Sequence, residues 1–558
     1  MGQVKMEEKL WHRSYPKGVP LEIDADAYAS IADVIEETCR RFAPRPCYSN
    51  LGLTLTFAQI EKQSRAFAAY LQTLPDVVPG DRIAIQLPNL LQYPIALYGA
   101  LRAGLIVVNT NPLYTAREME HQFKDSGAKI VVICANFASN LEQVLPRTPI
   151  KHVVVTEIAD CLPVPKRWLI NFVIKRVKKM VPAFHLPTAV TFNKALEIGA
   201  KSEFKKVARK GTDLAFIQYT GGTTGVSKGA MLTHRNIVAN MQQVGAWLKV
   251  QMKEGEDVCL APLPMYHIFS LTANAMALFK YGTHNVLVTN PRDIPALIKI
   301  MRAYKLTLMT GVNTLFNALM NHPDFGKIDF SNLKFCVGGA MALQRAVSDK
   351  WNKLTGSLLS EGYGLTESSP VVCINPLSKE DSQVGTVGLP VSSTEVKLMN
   401  DKGQESALGE SGEIWVRGPQ VMKGYWEKEE ESKNVLPGDG WLRTGDVGQF
   451  TPDGFLKIVD RQKDMITVSG FKVYPNEVED VLASHPKVLE VGVIGVPDEH
   501  SGEVVKAFVV KRDPSCTEAE LRDYARKNLT AYKVPKHIQF TDALPKTNVG
   551  KILRRELR

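Results

Sequence analysis

A run of glycine and hydroxyl residues that ends in a lysine is the densest chemical signal in the sequence. It reads Tyr219-Thr-Gly-Gly-Thr-Thr-Gly-Val-Ser-Lys228-Gly229 and follows the strand-like stretch 214–218. Its glycines allow close backbone approach, its hydroxyls add donors and its lysine adds a positive charge. A flexible turn without a ligand is the alternative, which the lysine disfavours. We therefore predict a loop that wraps a polyphosphate, formed by Tyr219, Thr220, Gly221, Gly222, Thr223, Thr224, Gly225 and Lys228.

The spacing of this loop differs from that of the P-loop. The P-loop pattern G-x-x-x-x-G-K-[ST] has glycine before its lysine and serine or threonine after it. Here Ser227 precedes Lys228 and Gly229 follows it. The sequence therefore predicts phosphate binding of another kind, and it disfavours a kinase or a motor-type nucleotide hydrolase.

A second glycine-rich segment carries groups that suit a nucleotide. Tyr363 lies between two glycines and offers an aromatic face that a purine can approach. Thr366 can donate a hydrogen bond to a phosphate. Glu367 follows it, and Mg²⁺ prefers a carboxylate together with phosphate oxygens. Considered alone, however, Glu367 fits a surface charge better than a metal ligand.

At least six motifs, in the same order, closely resemble those of the adenylate-forming superfamily of acyl-CoA synthetases, luciferases and peptide-synthetase adenylation domains. Besides the loop, these are Pro264-Met-Tyr-His267, Val337-Gly-Gly-Ala340, Glu361-Gly-Tyr-Gly-Leu-Thr-Glu367, Asp439-Gly-Trp-Leu-Arg-Thr-Gly-Asp446 and Leu544-Pro-Lys-Thr-Asn-Val-Gly-Lys551. The stretch 439–480 also parallels the signature region of fatty acyl-CoA synthetases. The resemblance covers nearly the whole chain. It is strongest to the bacterial long-chain fatty acid–CoA ligases that feed β-oxidation.

The resemblance implies a role for individual residues. The implied catalytic residues are Lys551, Thr366 and His267. Glu367 would be the Mg²⁺ ligand, and Lys463, within Asp460-Arg-Gln-Lys-Asp464, would be the hinge. Besides the loop, the implied contacts to nucleotide and coenzyme A are Gly339, Ala340, Glu361, Gly362, Tyr363, Gly364, Asp446, Arg461 and Gly470. A histidine such as His267, taken alone, is more often an ordinary buried side chain.

The resemblance also implies a reaction in two steps, with ATP, Mg²⁺ and coenzyme A as ligands. A fatty carboxylate attacks the α-phosphorus of ATP, which releases pyrophosphate and forms an acyl-adenylate. Lys551 would hold the carboxylate and offset charge on the α-phosphate during this step. The small domain would then turn about Lys463, withdraw Lys551 and bring the coenzyme A thiol to the acyl carbon, with release of AMP.

Several other activities compete with this one. An amino-acid adenylation domain would need a carboxylate after His267 to pair the substrate ammonium, and residues 268–271 supply none. A ligase for a medium-chain or aryl acid, or a luciferase-like oxygenase, is not separated from a long-chain ligase by these motifs. A catalytically dead scaffold that only binds membranes is disfavoured by four intact residues, Lys228, Glu367, Asp446 and Lys551.

Composition sets outer limits on the protein. A chain of 558 residues predicts more than one domain, and 44% hydrophobic with 23% charged residues is ordinary for a globular protein. A net charge of +10 suits anionic ligands but is too diffuse to predict nucleic-acid binding. The eight cysteines form no C-x-x-C pair, and the start of the chain lacks an apolar signal segment. We expect a cytoplasmic protein with reduced cysteines, mostly in its core.

The elements that must position these motifs follow two patterns. Strand-like runs at 82–87, 129–134 and 152–156 alternate with helical stretches at 115–126 and 233–248, which predicts α/β layering with largely parallel sheets. Thr233 is the predicted N-cap of the second stretch, whose apolar residues fall on one face, namely Ile237, Val238, Met241, Val244 and Leu248. After about Asp460 the pattern changes to a compact α+β unit, with helices at 475–485 and 517–529, the second with a capping box formed by Thr517 and Glu520. We predict a large N-terminal α/β domain with layered sheets (1–459), a hinge (460–464) and a small mobile C-terminal domain (465–558), which is the adenylate-forming fold.

One segment carries both basic and apolar residues and is not part of any motif. Residues 165–181 read PKRWLINFVIKRVKKMV, a basic amphipathic helix with aromatic residues, typical of attachment to a membrane surface. A solvated helix packed on the core by its apolar stripe is the equal alternative. We expect peripheral, salt-sensitive association with the inner face of the cell membrane. The family resemblance further implies a homodimer.

Overall fold

The computed structural model describes residues 9–220 and 227–558. Its strands, in chain order, are β1 (Pro46–Asn50), β2 (Leu53–Thr56), β3 (Arg82–Gln86), β4 (Ile106–Asn109), β5 (Ile130–Cys134), β6 (His152–Thr156), β7 (Val190–Thr191), β8 (Leu214–Thr220), β9 (Lys228–Thr233), β10 (Val258–Ala261), β11 (His284–Leu287), β12 (Leu308–Gly311), β13 (Phe335–Gly338), β14 (Leu358–Gly364), β15 (Val371–Ile374), β16 (Leu389–Pro390), β17 (Glu395–Met399), β18 (Gly412–Arg417), β19 (Leu442–Phe450), β20 (Leu456–Arg461), β21 (Ile466–Val468), β22 (Phe471–Val473), β23 (Val488–Asp498), β24 (Gly502–Lys511) and β25 (His537–Phe540).

The helices connect these strands. They are α1 (Ile31–Arg41), α2 (Phe57–Thr73), α3 (Gln92–Arg102), α4 (Ala116–Ser126), α5 (Ala138–Val144), α6 (Lys166–Phe172), α7 (Phe192–Ala200), α8 (His234–Leu248), α9 (Ile268–Ser270), α10 (Ile294–Ala303), α11 (Asn313–Met320), α12 (Arg345–Thr355), α13 (Glu429–Val435), α14 (Pro475–Ala483) and α15 (Glu518–Asn528). Two of them continue as π-helices, α6 over Val173–Val177 and α9 over Leu271–Leu278.

Two large sheets dominate the part of the chain before residue 395. Among the described residues one sheet has the order β7-β6-β5-β3-β4-β8-β9 and is parallel except for the β8–β9 pair. The other has the order β16-β15-β14-β13-β12-β10-β11-β1-β2 and is parallel from β1 to β14. The predicted parallel α/β layering is therefore confirmed.

The hydrophobic core lies between these two sheets. Helix α8 starts at the predicted N-cap, Thr233, whose hydroxyl accepts the N–H of Asn236. Since most of α8 is buried, it contributes to the core on more than the single apolar face that the sequence indicated. One apolar cluster joins Ile83 of β3, Met241 of α8 and Cys259 of β10. The layers thus fix the ends of β8, β9, β13 and β14, where the predicted motifs lie.

Two smaller sheets complete the chain. Strands β17-β18-β19-β20 form an antiparallel sheet that ends at Arg461, and a short 3-10 turn, Gln462–Asp464, follows it. Strands β21 to β25 form the last sheet, which has its own core around Val478, Val493 and Leu521. We call the described residues up to 461 the large unit and residues 465–558 the small unit. The predicted hinge, 460–464, overlaps the turn between them.

Candidate active site

A cleft of about 2410 Å³ lies where the small unit meets the large unit. Its walls include the ends of β8 and β9, the strand β14 with the turn after it, and the pair β19–β20. The small unit closes it with α14 and with residues 546–555 near the C-terminus. Segments far apart in the sequence therefore share one concave surface, which is the usual form of a small-molecule site.

The predicted phosphate loop spans the hairpin between β8 and β9. Thr220 and Lys228 are register partners at the ends of these strands, and both line the cleft. The Tyr219 hydroxyl donates to Oδ2 of Asp125 at 2.5 Å, and because the ring is also buried its pKa is raised. The Tyr219 side chain is thus fixed within the large unit. The predictions for Gly221, Gly222, Thr223, Thr224 and Gly225 lie outside the described residues.

Tyr425, which the sequence motifs did not indicate, contacts both Lys228 and Glu367. The Lys228 ammonium lies 5.3 Å from the ring centroid of Tyr425. The Tyr425 hydroxyl donates to Oε1 of Glu367 at 2.6 Å. Glu367 belongs to the turn Thr366–Ser368, which directly follows the end of β14, and Thr366 also lines the cleft. A cation, a carboxylate and a hydroxyl thus lie together in the cleft, close to the start of β9.

A second polar group joins β14 to the β19–β20 pair. Asp446 and Arg461 are register partners on the adjacent strands β19 and β20, so that their side chains can meet. Arg461 Nε lies 3.3 Å from Oδ1 of Asp446, and the Tyr363 hydroxyl donates to Oδ2 of Asp446 at 2.8 Å. Both Tyr363 and Asp446 are buried. Tyr363, which is predicted to face a purine, and Asp446 and Arg461, which are implied nucleotide contacts, therefore form one connected polar group.

The motifs at the ends of β13 and β14 contain glycines at positions where the backbone packs closely. A Cβ on Gly364 would lie 2.0 Å from the carbonyl oxygen of Pro370, so that only glycine fits the β14–β15 hairpin. Ala340 takes a φ of 65°, a left-handed conformation that side chains rarely adopt. Gly339, Ala340, Gly362 and Gly364 all line the cleft.

Glu361 is a buried carboxyl at the floor of the same region. Its Oε1 accepts the N–H of Leu343 at 3.0 Å. Burial raises the pKa of this carboxyl to about 8, because the charged form loses its hydration. Glu361 therefore holds the segment after Gly339 and Ala340 in place, and it is largely protonated at neutral pH.

Lys551 reaches the cleft from the small unit. The turn that carries it is closed by the Thr547 N–H, which donates to the Lys551 carbonyl at 2.7 Å. The hydroxyl of Thr314, in the large unit, donates to the Gly550 carbonyl at 3.2 Å and docks this turn across the cleft. Burial, together with the charge of Arg461, lowers the pKa of Lys551 to about 7. The predicted C-terminal lysine thus lies in a poorly hydrated, positively charged environment.

His267 faces the same part of the cleft. Its Nδ1 accepts the N–H of Phe269 at 3.3 Å at the start of α9. Burial and the charge of Lys551 lower the pKa of His267 to about 4, so the imidazole is neutral at pH 7. A neutral, half-buried imidazole suits hydrogen bonding and packing, and at neutral pH it adds no charge.

The structure does not bring every predicted residue to the cleft. Lys463, in the turn between the two units, lines the cleft but is exposed. Gly470 lies outside it, at the exposed turn between β21 and β22 with a φ of 84°. The resemblance assigned Gly470 to the arrangement after rotation of the small unit, and this prediction stays open.

The cleft has an apolar branch that the sequence motifs did not indicate. We use this name for the buried apolar residues of α8, the π-helix, β12 and β13 that line the cleft, namely Val244, Leu248, Leu278, Leu308 and Phe335. Ala273 also lines it and is less buried than the residues on either side of it in the π-helix. In the sequence these residues look like ordinary core, so only their common cavity distinguishes them.

Comparison with known proteins agrees with this geometry. The AMP-binding enzyme family matches residues 35–426, and the AMP-binding enzyme C-terminal domain matches residues 477–551. A long-chain-fatty-acid–CoA ligase of Yersinia pestis is 53% identical over 551 residues, covering 99% of this chain and 98% of the relative. A Bacillus subtilis protein of the same name is 39% identical over 554 residues, with the same coverage.

Solved structures give the same result at lower identity. An anthranilate CoA ligase in complex with anthranoyl-AMP superposes with a TM-score of 0.85 at 25% identity, covering 96% of this chain and 98% of that one. A benzoate CoA ligase from Burkholderia xenovorans LB400 gives a TM-score of 0.80 at 25% identity, covering 95% and 100%. The predicted superfamily and fold are therefore confirmed, and the chain belongs to the AMP-binding enzyme family.

Proposed function

We propose that this protein is a long-chain fatty acid–CoA ligase. It joins a fatty acid to coenzyme A with conversion of ATP to AMP and diphosphate through an acyl-adenylate, and so activates fatty acids for degradation. The carrying observation is that Lys551 of the small unit lies in one cleft with the Tyr363–Asp446–Arg461 group and the phosphate-loop strands of the large unit. Relatives 50–53% identical over nearly the full chain carry the same name.

The apolar branch supports a fatty acid as the acid substrate. Its aliphatic and aromatic walls offer nothing to pair a charge or a polar ring substituent, whereas each buried methylene contributes about 0.8 kcal/mol. Eight further methylenes would then add roughly 6 kcal/mol if the branch buried them fully. The carboxylate end of the chain would lie toward Lys551 and His267, and the alkyl end toward Phe335.

In the first step this chain supplies position and charge. Asp446 would accept from the ribose hydroxyls, Tyr363 would pack against the adenine, and Thr366 would donate to the α-phosphate. Lys551 would bridge the fatty carboxylate and the α-phosphate. Its lowered pKa means that its charge is poorly compensated in the free cleft, so anionic substrates offset this cost. Electrostatic preorganisation of this kind is the main contribution of a protein to phosphoryl-type chemistry.

Mg²⁺ fits the part of the cleft that holds Glu367, Tyr425 and Lys228. No group of three or more His, Cys, Asp and Glu residues that could hold a metal occurs in residues 9–220 and 227–558, so a protein-only cage is not available there. One carboxylate, Glu367, with substrate phosphates and water is the donor set that Mg²⁺ accepts in nucleotide sites. When bound, Mg²⁺ would neutralise phosphate charge, while Tyr425 orients Glu367 and Lys228 contributes a second cation.

For the second step, we propose that the small unit turns about Lys463 and presents Gly470 to coenzyme A. The connection supports this role, because it is a short 3-10 turn whose Lys463 is exposed. Gly470, with a φ of 84°, leaves room for a ligand beside the backbone, since a Cβ built there meets nothing within 4 Å. In this arrangement Lys551 would leave the acyl carbon free for the thiol.

We further propose that the protein associates with the inner face of the membrane through residues 165–181. None of the residues of α6 and of its π-helical extension is buried. The polar Asn171 faces the large unit, where its Nδ2 donates to Oδ1 of Asp160 at 3.1 Å. The exposed side chains include four large apolar ones, Trp168 (65%), Leu169 (64%), Phe172 (59%) and Val177 (65%).

The exposure of Leu169 and Val177 favours this proposal over an apolar stripe packed on the core, and Ile170, Val173 and Ile174 of the same stripe are half-buried. Exposed aromatic residues beside Lys175, Arg176, Lys178 and Lys179 fit an anionic lipid surface. No helix in the residues that the structure describes has both the length and the apolar character needed to span a membrane. Cytoplasmic location, expected from the scattered cysteines, and homodimer formation, implied by the family resemblance, are further parts of this proposal.

Vesicle sedimentation tests the membrane proposal. The double variant Trp168→Ser, Phe172→Ser should lose binding to vesicles that contain phosphatidylglycerol. Leu354→Ser is the matched control, because it removes an apolar side chain that is 47% exposed on α12, outside the segment. Equal binding by wild type and the double variant would refute the assignment. Sedimentation velocity tests the dimer.

Pyrophosphate and AMP release test the ligase activity itself. The purified protein is given ATP, Mg²⁺ and coenzyme A with saturated acids from four to eighteen carbons, and with benzoate and coumarate. We expect activity that rises toward the long chains. An optimum with an aryl or short-chain acid would refute the substrate assignment, and the absence of coenzyme A-dependent AMP release with every acid would refute the ligase.

A further inference from the structure

Arg554 connects three segments of the chain beside the cleft. Its Nη1 donates to Oδ1 of Asp460 at 2.9 Å and lies 3.5 Å from Oδ2 of Asp464. Its Nε and Nη2 donate to the two carboxylate oxygens of Glu479 at 3.0 and 2.8 Å. Nη2 also donates to Oδ1 of Asn476 at 2.5 Å. The bonds to Asp460, Glu479 and Asn476 are charge-assisted hydrogen bonds from a planar group in fixed geometry, the strongest kind that side chains form.

The partners of Arg554 lie on both sides of the connection between the units. Asp460 belongs to β20 and therefore to the large unit, where it is a register partner of Val447. Glu479 and Asn476 lie on α14 of the small unit. Asp460 is 1% exposed, and its Oδ2 accepts the N–H of Asn476 at 2.8 Å. Asp460 is thus a buried carboxylate of the large unit that both Arg554 and the first turn of α14 hold.

This contact depends on the arrangement of the two units. If the small unit turned about 462–464, Arg554 would keep Glu479 and Asn476, which travel with it. It would lose Asp460, which stays on β20, and Asp460 would also lose the N–H of Asn476. Arg554 follows Lys551 by three residues, and the N–H of Leu553 between them donates to the Pro545 carbonyl at 2.8 Å. The bond to Asp460 therefore fixes the turn that carries Lys551.

We propose that Asp460 and Arg554 are positioning residues that hold the small unit with Lys551 in the cleft and so set the balance between the two half-reactions. The inference rests on the proposed ligase function. A ligand that favours one of two arrangements shifts the population only by its differential affinity, and the same holds for an internal contact made in one of them. Loss of the contact should therefore lower adenylate formation without lowering thioester formation.

A second ion pair between the units provides a matched control. Lys472 Nζ of the small unit lies 2.6 Å from Oδ2 of Asp401 in the large unit. Both side chains are exposed, at 48% and 74%. Exposed pairs of this kind contribute little, because water already solvates both charges and salt screens them. We therefore expect the buried Asp460–Arg554 bond, and not the exposed Lys472–Asp401 pair, to set the balance between the two half-reactions.

The experiment compares Asp460→Asn with Asp401→Asn in the full chain. Adenylation is measured as ATP–pyrophosphate exchange with palmitate, and thioester formation as palmitoyl-CoA produced from preformed palmitoyl-AMP and coenzyme A. For Asp460→Asn we expect adenylation to fall about tenfold, the scale of one charge-assisted hydrogen bond, with thioester formation unchanged or faster. For Asp401→Asn we expect both rates to stay within about twofold of wild type.

Three results bear on the proposal in different ways. An equal fall of both half-reactions in a folded Asp460→Asn protein, or equal effects of the two variants, would overturn it. If Asp460→Asn does not fold, Arg554→Lys repeats the comparison, since lysine keeps the charge but lacks the fork geometry. If the wild-type protein exchanges no pyrophosphate with any fatty acid, the ligase function fails and not the positioning role alone.

Discussion

Raising the pH should weaken adenylation through loss of the Lys551 cation. The ordinary pKa of a lysine, 10.5, is lowered here to about 7 by burial and by neighbouring cations, Arg461 first. At about 1.4 kcal/mol for each pKa unit, this lowering of the pKa means that the empty cleft disfavours the charged form of Lys551 by roughly 5 kcal/mol. Because the pKa of a base is lowered, the cation is present below about pH 7 and is lost as the pH rises through that value. One unit above it, about one molecule in ten retains the charge.

ATP–pyrophosphate exchange with octanoate, a soluble acid, measures this effect. At limiting ATP and acid, the apparent kcat/KM should fall about tenfold for each pH unit above 7, because it reports the free enzyme. At saturation the decline should begin at higher pH, since the bound carboxylate and triphosphate favour the cation. Lys551→Ala should lower exchange about 100- to 1000-fold, the scale of losing one preorganised electrostatic contact, and should remove the dependence on pH. It should spare thioester formation from preformed acyl-adenylate.

Glu361 is the necessary control, because its pKa of about 8 falls in the same range. Since Glu361→Gln mimics the protonated carboxyl, it should leave the decline above pH 7 in place. His267, with a pKa of about 4, does not titrate there. A kcat/KM that stays constant from pH 6 to 9.5, or a decline that persists in Lys551→Ala, would refute the role assigned to the lysine. Equal loss of both half-reactions in Lys551→Ala would show the same.

Three further substitutions test other parts of the cleft. Tyr363→Phe removes the hydroxyl that donates to Asp446, so KM for ATP should rise about fivefold, the scale of one net hydrogen bond, in steady-state kinetics. Tyr425→Phe frees Glu367 from its donor, and we expect the Mg²⁺ concentration needed for half-maximal exchange to rise; an unchanged Mg²⁺ titration would contradict that role. Ala273→Phe fills the apolar branch and should move the preferred acid to a shorter chain in the fatty-acid panel, whereas an unchanged preference would place the alkyl chain elsewhere.

Local signals allowed much of the fold to be predicted from the sequence. The capping threonine at 233 and the apolar periodicity that follows it fixed where α8 begins and ends. Short apolar runs such as 152–156 corresponded to buried parallel strands. These features depend on neighbours three or four residues away, so the sequence alone carries them. The second helix of the small unit was predicted with a full capping box, and only the Thr517 half of it forms.

The site shows the same division. Residue types and spacing were enough to predict a phosphate loop with Lys228, whereas the roles of Asp446 and Lys551 came from the family resemblance of their motifs. Tyr425, which contacts both Lys228 and Glu367, was missed. It lies more than fifty residues from Glu367 in the sequence, and only folding brings the two side chains together. Residues of the apolar branch were missed for a related reason. Segments that line a cavity carry the same apolar residue types at the same spacing as segments of the core.

The sequence by itself determined that the chain carries nucleotide-handling chemistry in a large α/β part followed by a small α+β part, because motifs and periodicity are local properties. The tertiary structure decided that Lys551 lies in the cleft with a lowered pKa, and that Arg554 joins β20 to α14. It also decided that Trp168, Leu169, Phe172 and Val177 within residues 165–181 are exposed. Burial and charge at a given atom are set by groups distant in the chain, and only folding brings these groups together.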